Sequence, residues 1–188
     1  MPEQRTFKKK QQYDTPKESP TGKLPPHDTE LEEVVIGSLM LEKDAYMNVA
    51  DILTPDAFYD PVNQKIYEAI STLGFNQRPI DMMTVTEQLR VNGTLQEVGG
   101  AMHLADLTAR VYSAADIGYH AKIISQKYLA RRLITFASRI ETDAFDESND
   151  VDDLLQQAEG QLFDISQTHL KREVTQIDPV LNMALEQI

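Results

Sequence analysis

The chain has no cysteine. Disulfides, thiolate metal sites and cysteine nucleophiles are therefore excluded, and the composition fits a reducing compartment. No apolar run approaches the roughly 18 residues that a membrane span needs, and the charged N-terminus has no hydrophobic region behind it. These absences predict a cytoplasmic protein with no membrane partner. Period-two alternation, the mark of half-buried strands, is nearly missing, which leaves helices. A phosphate loop is lacking as well. Thr21-Gly22-Lys23 has the end of one, but Lys17 stands where the first glycine belongs and Leu24 where a Ser or Thr belongs.

The same search for chemistry comes back empty elsewhere. The histidines His27, His103, His120 and His169 have no metal-ligand spacing. Asp146, Ser148, Asp150 and Asp152 alternate like a calcium loop, yet Val151 occupies the place of the loop's glycine and Gln157 that of its bidentate glutamate. A solvated turn accounts for them. There is no Gly-x-Ser-x-Gly elbow and no dinucleotide fingerprint. No catalytic, metal or cofactor residue is assigned, and a small hydrolase built on unrecognised carboxylates is a minor rival.

What is present is a helical soluble chain. Its 188 residues allow one domain with extensions, and 41% hydrophobic with 26% charged residues is ordinary for a globular protein. The net charge of -12 is unevenly placed. Residues 1–25 hold Arg5, Lys8, Lys9, Lys10, Lys17 and Lys23 against Glu3, Asp14 and Glu18, so they carry +3 and leave -15 to the rest. A body that acidic is a poor general binder of phosphate backbones. Lys122, Lys127, Arg131, Arg132 and Arg139 form a local exception. With the basic tail they support the alternative reading, a nucleic-acid-binding helical module, although a solvated face paired with acidic neighbours is the simpler account.

Four regions follow from composition and periodicity. Residues 1–25, polar and punctuated by proline, read as a disordered tail. Residues 26–112 read as a globular helical bundle. Asp28 or Thr29 caps a first helix with Leu31, Val34, Val35, Ser38 and Leu39 on one face, and Glu30, Glu32 and Glu33 lie near its positive end. Asp44 opens a second helix through Ala50. Thr54-Pro55 starts a short turn, and Asp60-Pro61 starts a helix with Val62, Ile66, Ala69, Ile70 and Leu73 buried, stopped by Gly74. Asp81 caps a helix carrying Val85, Leu89 and Val91 and ended by Asn92-Gly93, and Gly99-Gly100 leads into the next, with Leu104 and Leu107.

Residues 113–170 read as a long antiparallel hairpin. Ser113 is its expected N-cap, the acidic stretch Asp146–Asp150 its turn, and Val151, Leu155, Ala158, Leu162 and Ile165 a heptad-like seam. Leu154, Phe163, Ile134 and Ile123 lie off that seam, so the hairpin has more apolar width than its two helices bury against each other. A second copy of the hairpin, or the rest of the domain, is expected against it. Residues 171–188 read as a linker and the start of a further helix with Val180, Met183, Ala184 and Ile188 on one side. Its lack of a C-cap suggests the front of a longer polypeptide.

Several stretches, in order, resemble the N-terminal domain of the bacterial replicative DNA helicases of the DnaB family. They are Pro25-Pro26-His27; Glu30 followed by Val34-Val35-Ile36-Gly37; Ala57-Phe58-Tyr59-Asp60-Pro61 with Ile66-Tyr67-Glu68-Ala69-Ile70; Pro79-Ile80-Asp81 with Thr84-Val85 and Leu89; Gly99-Gly100 with His103-Leu104 and Leu107; and Ser113-Ala114-Ala115-Asp116-Ile117. The likeness runs from about Pro25 to Ile188. Asn63, His103, Asp116 and His120 depart from the family's usual His, Tyr, Asn and Tyr.

The resemblance implies an all-α fold of bundle, hairpin and linker helix. It implies self-association into dimers and a trimer-of-dimers hexamer, with recruitment of primase and, in some members, of a helicase loader. Leu129, Leu133, Phe136, Ile140, Leu155, Leu162 and Ile165 are then the expected subunit interface. Val180, Met183 and Ala184 are expected to dock on a neighbour. The family's motor domain, which uses ATP and magnesium and contacts DNA, would follow Ile188. This chain alone is expected neither to hydrolyse ATP nor to unwind DNA.

Overall fold

The helices begin where short polar residues satisfy the first backbone N–H groups. In the computed structural model, which describes residues 22–111 and 116–174 and side chains to Gln167, α1 is Thr29–Leu41, and the Asp28 carboxylate accepts from Leu31 N at 3.1 Å. Helix α2, Pro61–Phe75, has proline at its first position and Asp60 accepting from Val62 N at 2.8 Å. Helix α3, Met82–Asn92, carries a reciprocal capping box: Asp81 accepts from Thr84 N at 2.8 Å while Asp81 N donates to Thr84 Oγ1 at 3.0 Å. Gly93 ends α3 in the left-handed conformation with φ +75°. Helix α4 is Gly100–Ala109, and α5, Ile117–Ala144, and α6, Val151–Val174, form the hairpin. No strand occurs among the described residues.

Helix α1 lies in the middle, against α4, α5 and α2, while α2 packs on α3 and α6 on α5. Val35, Ile36, Leu39, Phe58, Ile66, Tyr67, Ile70, Leu73, Val85, Leu89, Leu104 and Leu107 form one core, which Ile117, Ala121 and Ile124 of α5 enter. The first third of α5 therefore belongs to the bundle. At 1.5 Å per residue the helix is about 42 Å long, so the remainder carries the hairpin well past that core.

Two local expectations are overturned. Asp44 does not open an α-helix; it sits in the left-handed region, φ 69°, and a short 3-10 turn follows at Ala45–Asn48. Gly74 does not stop α2, which runs on to Phe75. The left-handed closing residue is Gln77, φ 53°, with Arg78 N donating to Leu73 O at 3.0 Å. Gly74 instead makes room for the Tyr46 ring, into which a Cβ would run. Val91 of α3 is 72% exposed, and Glu32, near the positive end of α1 as expected, is buried. Ser113 lies outside the described residues, and Asp116 precedes α5 without a side-chain cap.

Candidate functional site

Three features meet where the hairpin leaves the bundle. The first is a polar latch. Arg131, three turns beyond Ala121 on α5, donates to Pro26 O at 2.8 Å and to Ala57 O at 2.6 Å, so one guanidinium ties the hairpin to the segments before α1 and α2. Its carbon lies 5.6 Å from the ring centres of both Tyr59 and Tyr128, and Tyr59 stacks on His27 at 4.3 Å. The His27 Nδ1–H donates to Pro25 O at 2.7 Å, which fixes the ring. Burial draws the Arg131 pKa down, opposed by the charge of Glu32 and then by Tyr128 and Tyr59. Glu32 accepts from Tyr59 N at 2.6 Å, Asp60 N at 3.2 Å and Asn63 Nδ2 at 3.1 Å. It serves as a cap supplied by α1 to the start of α2.

The second feature is a cleft of about 480 Å³ beside that latch, lined by Phe58, Tyr59, Tyr128, Arg132, Phe136 and Arg139 among others. Arg132 and Arg139 are seven residues apart on one line of α5, and Asp164 and Ile165 of α6 close the far wall.

The third is the hairpin surface, and here the expected seam residues part company. Ile165 is 6% exposed, and Leu129, Phe136 and Ile140 are half-buried. Leu133, Leu155 and Leu162 are 41%, 58% and 46% exposed. Val151 and Phe163 are also exposed. At about 100° per residue, Ala130, Leu133 and Ala137 lie on the side of α5 opposite Ala121, Ile124 and Tyr128, and Leu155 lies half a turn around α6 from Asp164. The exposed stripes of both helices thus share the face turned away from bundle and cleft. Val180, Met183 and Ala184 lie outside the described residues.

Of the five basic residues on α5, Arg131 is consumed by the latch, and Arg139 has Asp143 at 3.6 Å. In the turn, Asp146 accepts from Ser148 N and Oγ, which holds its carboxyl below the usual range, and Asp150 caps α6 through Asp152 N. These carboxylates are used by the backbone. Sequence reasoning missed Glu32 and the latch role of Arg131, because their partners come from segments 27 to 105 residues away.

The comparisons with known proteins agree with one another. The family described as "DnaB-like helicase N terminal domain" matches residues 24–126. Replicative DNA helicase DnaB of Rhodothermus marinus is 39% identical over 167 residues, covering 89% of this chain and 18% of that protein. Replicative DNA helicase DnaC of Bacillus subtilis is 39% identical over 145 residues, covering 77% and 32%. The chain therefore spans between about a fifth and a third of these relatives. Among solved structures, the N-terminal domain of DnaB helicase from Mycobacterium tuberculosis is 34% identical with a TM-score of 0.71, covering 76% of this chain and 99% of that one. A DnaB-like replicative helicase, described together with its interactions with primase, is 24% identical with a TM-score of 0.61, covering 73% and 31%. That likeness is one of fold.

Proposed function

The chain belongs to the DnaB-like helicase N-terminal domain family, and from that premise we propose that it is the assembly and recruitment domain of a replicative DNA helicase. The observation that carries this reading is the apolar face of the hairpin. Leu133, Leu155 and Leu162, with Val151 and the small Ala130 and Ala137 between them, stay accessible beyond the core. Each leucine left in water forgoes roughly 1.5–3 kcal/mol, and small residues let helices approach closely, so a second hairpin is a fitting cover. In this reading the chain pairs with itself through that face, and pairs join into a hexamer as a trimer of dimers. Ile165 and the half-buried Leu129, Phe136 and Ile140 support the face from beneath.

The wider role follows from the family. A relative of the same fold is described with primase, and recruitment of primase, and of a loader, is assigned here to the assembled collar. Unwinding, with its ATP, magnesium and DNA contacts, belongs to a motor domain joined through the linker, and Val180, Met183 and Ala184 are the residues proposed to dock on a neighbour. The setting is cytoplasmic; no helix among the described residues is long and apolar enough to cross a membrane.

Solution mass by light scattering over a hundredfold concentration range tests the carrying point. The wild-type chain is expected to be a dimer or larger, and Leu155→Glu with Leu162→Glu to be monomeric with unchanged helicity. A double variant that keeps its oligomeric mass would refute the hairpin face as the interface.

A further inference from the structure

We propose that the cleft between α5 and the start of α2 is a second assembly contact, and that it receives the acidic hairpin tip of another copy of this chain. The inference rests on the assembly reading above. Pairing through the exposed hairpin face uses the same patch on both chains, so it closes at two. Anything larger needs a second, different surface, and the cleft is placed to be one. Arg132 and Arg139 lie about 160° around α5 from Ala130 and Ala137, and Asp164 lies opposite Leu155 on α6. A partner on the leucine face leaves the cleft open.

The chemistry of cleft and tip is complementary. Arg131 is spent on Pro26 O and Ala57 O, while the Arg132 guanidinium lies over the Tyr128 ring at 6.0 Å. The nearest Asp143 oxygen is 3.6 Å from Arg139 Nε, longer than a hydrogen bond. The two arginines stand two turns apart, about 10 Å, with Phe136 between them as an apolar wall. Such a cleft is unusual in a chain of net charge -12. At the tip, Phe145 is 82% exposed, and Glu147, Asp152 and Asp153 are exposed beside it, whereas Asp146 and Asp150 are engaged in the turn. An aromatic side chain flanked by carboxylates matches an aromatic-lined cleft flanked by arginines, each pair forming charge-assisted hydrogen bonds.

Light scattering of the whole chain separates the two contacts. Wild type is expected to pass beyond the dimer as concentration rises. Arg132→Glu with Arg139→Glu is expected to remain dimeric, its second association step weakened by at least about tenfold, a difference near 1.4 kcal/mol. Asp152→Lys with Asp153→Lys should do the same from the other side, and all four changes in one chain should restore the larger species. Because the chain lacks cysteine, Phe145→Cys chains mixed with Thr135→Cys chains can be joined by a short bis-maleimide, and a mixed cross-link is expected. A wild type that stops at the dimer, larger species untouched by charge reversal, no rescue, or cross-links only between tips would each overturn the cleft contact and leave the leucine face standing. A strict monomer would overturn both.

Discussion

Glu32 places a carboxylate among apolar side chains, and the three donors around it explain how the fold tolerates that. Without them a buried charge would be prohibitive. Glu32→Ala leaves Tyr59 N and the Asn63 amide without their acceptor, and about 1–3 kcal/mol of stability should be lost in urea denaturation. The pH dependence has a definite sign. Burial raises the Glu32 pKa above its usual 4.5, against the opposing pull of Tyr59 N, Asn63, Asp60 N and Arg131. A carboxyl that holds its proton more tightly when folded contributes stability that is fully present below the unfolded pKa and fades as pH rises through the folded one. Relative to Glu32→Gln, which does not titrate there, wild type should therefore lose stability as pH rises above the ordinary carboxylate range. A relative gain over that rise would mean that the donors outweigh desolvation.

Helix contacts set the next scale, and two glycines respond in opposite ways. At Gly37 a Cβ would stand 2.5 Å from Leu107 O and 2.6 Å from Val111 Cγ2, so the closeness of α1 to α4 depends on its absence. Backbone cannot step aside as a side-chain tip can. Gly37→Ala should cost about 1–3 kcal/mol by forcing α1 and α4 apart. Gly160, mid-way along α6, has nothing within 4 Å of such a Cβ. There Gly160→Ala should add about 0.5–1 kcal/mol through helix propensity alone. Chemical denaturation of both variants checks the pair, and loss of stability in Gly160→Ala would reveal an unseen close contact on α6.

The molecule as a whole is a bundle with a long lever. Only the first third of α5 is anchored in the core, and α6 packs against α5, so the outer hairpin has two helices where a stable apolar interior wants more. Its stability should therefore depend on association. The melting temperature is expected to rise with protein concentration, because a partner that binds the folded chain stabilises it by mass action. Leu155→Glu with Leu162→Glu should abolish that dependence. A melting temperature that stays constant across a hundredfold dilution of wild type would place the hairpin's support within a single chain.

Local chemistry was legible from the residues themselves. Asp28, Asp60, Asp81 and Gly93 mark helix ends because a cap is satisfied within a few residues, and the spacing of Ile66, Ala69, Ile70 and Leu73 needs nothing beyond its own helix to declare a buried stripe. The surplus of apolar residues on the hairpin was equally plain. Other features depended on atoms brought from far along the chain. Gly74 looks like a helix stop until the Tyr46 ring is seen against it, and Glu32 looks like one of three acids near the positive end of α1 until Tyr59, Asp60 and Asn63 surround it. Likewise a heptad repeat names Ile165 and Leu162 as equals. Only the placement of the bundle on one side of α5 decides that the first is buried and the second faces water, since periodicity records an angle around a helix and tertiary packing determines which angle is covered.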